Sequence, residues 1–172
     1  MEALTWGFIG TLIGAAVGAT ASVVTTVINT KNTHALQRKV DAAKKDGQHN
    51  DFQCENLMKV QDELSSNMRL IFEAHLSDVK YYKENPASSK KPLLQESLDI
   101  KIRESNQQLS ILTERVSDDT LRRQIQEVRD QLTNVIMASS ESESLHAINH
   151  ATSNISLLMS NIGVHIRNSY QR

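Results

Sequence analysis

Hydrophobic positions follow two different patterns along this chain. From Leu4 to Ile28 they form an almost unbroken run, 25 residues without a charged side chain. Beyond residue 50 they recur at intervals of three and four, the spacing that gathers side chains on one side of an α-helix. Leu57, Val60, Leu64, Met68, Ile71, Val79 and Tyr82, with His75 in the one gap, predict a helix over 51–83. Leu94, Leu98, Ile102, Ser105, Leu109, Leu112 and Val116 predict a second over 92–116. A third, ending near Ala138, carries Leu121, Ile125, Val128, Leu132 and Val135. The fourth, over 143–168, carries Leu145, Ile148, Thr152, Ile155, Met159, Ile162 and Ile166.

Punctuation between these stripes is sparse. After the apolar run the glycines are Gly47 and Gly163, and the prolines are Pro86 and Pro92. Asn85 to Lys91 reads as a loop, with Pro92 as first residue of the next helix, where a missing N–H does no harm. Ser117-Asp118-Asp119 offers capping oxygens to the third helix, and Ser140 with Glu143 matches a capping box before the fourth. Gly47-Gln48-His49-Asn50 reads as an interruption between a charged stalk and the first long helix. Each stripe is too narrow for a helix buried all round and too apolar for one alone in water. Short connections force sequence neighbours to be antiparallel. The expected fold is therefore all-α, an antiparallel four-helix bundle over 51–172, whose seams would also serve coiled-coil pairing between molecules.

The N-terminal run has a different physical destination. As a helix, 25 residues reach about 37 Å, more than the roughly 30 Å of a hydrocarbon layer. A tilted transmembrane span is expected over 1–30, with Trp6 at its outer interface. A cleaved signal would need a basic N-terminal region, and the only side-chain charge ahead of the run is Glu2. In a soluble helix, Gly7, Gly10, Gly14 and Gly18 would each cost about 1 kcal/mol. A helix lying flat on a surface would need a charged side, which this run lacks. Lys31, Arg38, Lys39, Lys44 and Lys45 follow the run and no Lys or Arg precedes it. The positive-inside rule then puts the N-terminus outside and the stalk (31–50) and bundle in the cytoplasm. Within the run, Gly10, Gly14, Gly18, Ser22 and Thr26 recur every four residues, a shallow strip along which another helix can approach.

Composition narrows the function classes. The 172 residues carry 19 basic and 20 acidic side chains, a balance without the basic excess of a nucleic-acid binder. A lone cysteine, Cys54, rules out an internal disulfide. His146 and His150 are four apart with Glu143 a turn earlier, a spacing that permits metal binding, but the pair falls opposite the apolar stripe, so an exposed surface is the expectation. His75 falls on the apolar side and is expected to be hydrogen-bonded rather than catalytic. Cys54 is expected to be inert, Arg122-Arg123 and Lys90-Lys91 to be solvated, and Tyr81-Tyr82 to end a core stripe. Phosphate loops, zinc-protease helices, Cys-x-x-Cys pairs and nucleophile elbows are missing. No enzyme activity, cofactor, metal or small-molecule substrate is expected.

The stretch Gly7-Phe8-Ile9-Gly10-Thr11-Leu12-Ile13-Gly14-Ala15-Ala16-Val17-Gly18, followed by Val27-Ile28-Asn29 and a basic amphipathic segment, resembles the N-termini of bacterial single-span membrane proteins with helical cytoplasmic portions. The resemblance implies an inner-membrane home and no particular activity. The expected role is that of a membrane-anchored scaffold, which self-associates or binds a protein partner at the cytoplasmic face. The alternative is a membrane-perturbing effector of the phage-defence or lysis type, whose assembled spans breach the bilayer.

Overall fold

Helix accounts for nearly all of the computed structural model, which describes residues 2–85 and 93–170, the side chains of 2–24 and of Ile28 excepted. The elements are α1 (Glu2–Glu84), α2 (Glu96–Glu114), α3 (Asp119–Met137) and α4 (Glu141–Tyr170). The chain divides into two compact units, residues 1–48 and 49–172.

In the first unit the backbone is helical from Glu2 onward. Among the described residues no helix is long and apolar enough to cross a membrane. The span expected over Leu4–Ile28 lies outside the residues whose side chains are described, apart from Thr25, Thr26 and Val27. The interruption expected at Gly47-Gln48-His49-Asn50 does not occur, for these residues are helical. One glycine costs a helix only about 1 kcal/mol, too little to break it between good helix formers such as Lys44, Lys45 and Gln48.

In the second unit, hydrogen bonds between helices give the topology. Gln53 of α1 reaches Arg115 of α2, Asn56 reaches Leu112, and Asn67 reaches Ser105. Numbers rise on α1 as they fall on α2, so the two run antiparallel. Cys54, Gln61 and His75 meet Ile166, Met159 and Ser144, which sets α1 antiparallel to α4 in the same way. Gln124 and Gln131 of α3 pair with Asn161 and Asn154 of α4, while Arg129 of α3 meets Ser110 of α2. Each helix thus has two antiparallel neighbours, and α1 lies diagonal to α3. The second unit is an up-down-up-down bundle.

Leu64, Ile71, Leu109, Leu121, Ile125, Leu132 and Ile162 are fully enclosed at the centre. Burying each such side chain contributes about 1.5–3 kcal/mol. The stripes expected on α2 and α3 are the buried ones, except that Leu94 is only partly covered. On α1 the buried seam runs Leu57, Val60, Leu64, Asn67, Ile71, Ala74 and Asp78, so Met68 and Val79 are displaced by polar or small neighbours. On α4 it runs Ser144, Ile148, Ala151, Ile155, Leu158 and Ile162, and the expected Leu145 is 51 % exposed. Both corrections have one cause. A regular three-four repeat fixes which positions face the neighbouring helices, and small or hydrogen-bonded residues at those positions let helices approach.

The ends are built as the capping pattern anticipates. Asp118 Oδ1 accepts from Leu121 N at 2.8 Å. Ser140 Oγ accepts from Glu143 N at 3.2 Å while the Glu143 carboxylate accepts from Ser139 N at 2.7 Å, a box reaching one residue further back than the usual form. Helix α2 starts later than expected, with Gln95 at its N-cap position and Pro92 outside the described residues.

Candidate functional site

Of the strip Gly10, Gly14, Gly18, Ser22 and Thr26, only Thr26 has a described side chain, and it is exposed. The side chains of the first four lie outside those described. The stalk beyond it is informative in a different way. Every described side chain from Thr25 to His49 is exposed, including Leu36 at 64 % and Val40 at 52 %. At about 100° of turn per residue, Leu36, Val40, Ala43 and Gly47 share one side of this helix. Lys31, His34, Arg38 and Lys45 share the opposite side. Within the segment, Gln37 Nε2 donates to Asp41 Oδ1 at 3.2 Å and Thr33 Oγ1 to Asn29 O at 2.8 Å.

Inside the bundle, polar groups cluster on the two seams of α1. Asn67, fully buried, donates through Nδ2 to Ser105 Oγ and to Asn106 Oδ1, both at 3.0 Å. Ser105 Oγ in turn donates to Glu63 Oε1. The Asn67 Oδ1 atom is buried with no hydrogen-bond partner. Toward the far end, the Nδ1 atom of buried His75 lies 2.7 Å from Ser144 Oγ, also buried. Buried Asp78 is one turn along, and Tyr82 OH donates to Ser139 O at 3.2 Å. Burial, helped by the charges of Asp78, Tyr81 and Glu143, raises the Tyr82 phenol above its ordinary pKa. Although a serine and a histidine meet here with an aspartate one turn along, Ser144 is 1 % exposed, so no substrate reaches its hydroxyl. The arrangement locks α1 to α4.

The remaining sequence candidates separate by surroundings. His146 and His150 are exposed, and the Glu143 carboxylate is occupied by the cap. Among the described residues no group of three or more His, Cys, Asp or Glu side chains is placed to hold a metal ion. Cys54 is a buried free thiol with Sγ 3.9 Å from Ile166 O. Arg122, expected in solvent, folds back on the α2–α3 turn. Its Nε donates to Val116 O at 3.1 Å and its NH1 to Asp119 Oδ1 at 2.7 Å. Arg123 is exposed, as expected, and Lys90-Lys91 lie outside the described residues.

Gln53 escaped the sequence reading altogether. Its amide donates to Arg115 O and accepts from Ser117 N, each at 3.0 Å, and so clasps the turn between α2 and α3. Beside it a polar cleft of about 510 Å³ is lined by His49, Asn50, Asp118 and His165, among others. Between α3 and α4 a smaller cleft of about 170 Å³ is lined by Gln124, Gln131, Asn154, Asn161 and the exposed Leu157.

Comparison with protein-family models, with curated proteins and with solved structures finds no match to this chain.

Proposed function

We propose that this chain is a membrane-anchored helical interaction protein. Residues 4–28 cross the bilayer once, and the stalk and bundle self-associate or bind a protein partner on the cytoplasmic side of a bacterial inner membrane. The observation that carries this reading is the stalk. A helix in water draws most of its stability from an apolar side packed against something. Here Leu36 and Val40 stand uncovered on a helix whose described side chains are exposed from Thr25 to His49. In the sequence, the four-residue ladder of Gly10, Gly14, Gly18, Ser22 and Thr26 precedes them with a period suited to helix pairing. The bundle adds an interior filled by helix-to-helix contacts, which fits an adaptor.

Crosslinking of the full chain in intact membranes tests this. Oligomers or partner adducts are expected, and they weaken when Gly14 is replaced by Leu or Ile, which fills the strip. A monomer in both forms, with no partner captured, discards the reading. A membrane-potential dye during overexpression checks the effector alternative. The scaffold leaves the potential intact, whereas a collapse that Gly14→Leu abolishes would favour a breach of the bilayer.

A further inference from the structure

The charge of the stalk is set apart from that of the bundle. Between Asn29 and Gln48 there are five basic and two acidic side chains, whereas residues 49–172 hold 14 of the basic and 17 of the acidic ones. Lys31, Arg38 and Lys45 are spaced seven apart, nearly two helical turns, so they stand in a line on one side of the stalk. His34 is on the same side. Asp41, the acidic residue nearest this line, has its Oδ1 engaged by Gln37. Among the described residues none of the three cations is in an ion pair, and all are exposed.

We propose that this basic side binds the anionic lipid headgroups of the leaflet from which the stalk emerges; the proposal rests on the anchor reading above. A 25-residue apolar run exceeds the thickness of the hydrocarbon layer, so a straight helix tilts to fit. A tilted helix leans one side of its protruding turns toward the surface. Lys31 is three residues past Ile28, and the tether holds Arg38 and Lys45 at high local concentration over the headgroups. Each cation near an anionic leaflet adds attraction, which decays over about one Debye length. A nucleic acid is the less fitting partner, because the bundle attached to the stalk is net acidic. With the cations turned down, Leu36, Val40, Ala43 and Gly47 face away from the lipid. They remain open to a second helix.

The full chain, reconstituted in vesicles, tests this with a bimane label at Ala42→Cys, on the basic side, or at Val40→Cys, on the apolar side. Cys54, 3 % exposed, stays out of reach of the thiol reagent. Headgroup-nitroxide lipid serves as quencher, in phosphatidylcholine alone or with about one-third phosphatidylglycerol. The expected result is stronger quenching at residue 42 than at 40 in anionic vesicles only. Raised salt, or K31Q/R38Q/K45Q together, should remove the difference. Equal quenching at both sites in a chain that resists alkaline carbonate overturns the headgroup contact and leaves the anchor standing. A chain that washes off in carbonate overturns both. Binding of a DNA duplex through the same three cations, without any dependence on phosphatidylglycerol, also overturns the proposal.

Discussion

His75 and Ser144, 69 positions apart, share a buried hydrogen bond of 2.7 Å between Nδ1 and Oγ, and this bond joins the far end of α1 to the first turn of α4. Ser144→Ala leaves an imidazole nitrogen buried without a partner. The variant is expected to lose about 1–3 kcal/mol in urea unfolding. Replacing both residues by apolar ones, His75→Leu with Ser144→Ala, should recover much of that loss. A double variant as unstable as the sum of the two single ones would show that the bond contributes nothing.

Asn67 is the fully buried member of a polar cluster with Ser105, Asn106 and Glu63, with two bonds through Nδ2 and none through Oδ1. Asn67→Leu keeps the number of side-chain heavy atoms and removes an unpaired buried oxygen, which offsets part of the loss of the two Nδ2 bonds, so it should destabilise less than Asn67→Ala. Asn67→Ala should lower stability by about 2 kcal/mol through the cavity it opens. A buried asparagine also fixes register in helix assemblies. Size-exclusion chromatography of the Leu variant is expected to show additional oligomers, and an unchanged single species would discard that role.

The α2–α3 turn is held from outside by Gln53 and from inside by Asp118. Asp118→Ala should cost about 1 kcal/mol as a lost N-cap, whereas Asp118→Asn should be close to neutral. Gln53→Ala removes both of its bonds to the turn and is expected to destabilise by a similar amount. Amide hydrogen exchange should quicken at Ser117 in the Gln53 variant and at Leu121 in the Asp118 variant.

Burial raises the Tyr82 phenol above its usual pKa, with Asp78, Tyr81 and Glu143 adding to the effect. The unfolded chain therefore gives up this proton at lower pH than the folded one. The stabilisation linked to the neutral phenol is complete below about pH 10 and disappears as pH rises through the folded value. Unfolding followed across alkaline pH should show stability falling more steeply for the native sequence than for Tyr82→Phe. Parallel curves would remove the linkage.

The three-four spacing made four helices and their antiparallel order legible, because short turns and one apolar stripe per helix leave few other arrangements. It misjudged phase where the seam carries Asn67, Asp78, Ser144 or Ala151, residues whose polarity or size hides their position. Met68, Val79, Leu145 and Thr152 were more apolar neighbours or fitted the spacing equally well, and they drew the reading one position aside. The caps at Asp118 and Ser140 were readable since they depend on residues three apart. The clasp by Gln53 and the folding-back of Arg122 were not. The Gln53 clasp joins positions that only the bundle brings together, and Arg122 folds back over a local turn whose path its side chain does not announce. The stalk continues as helix through Gly47 because a single glycine penalises a helix without forbidding it.

An even number of antiparallel rods returns the chain to the end at which it entered. Asn50 and Ser169 border the same cleft, so the close of α4 lies beside the entry of α1 into the bundle. A short peptide could therefore join these ends, and new termini could be opened in the α3–α4 turn without severing any rod. A reporter fused after α4 would likewise sit at the end of the bundle bordered by Asn50 and Ser169.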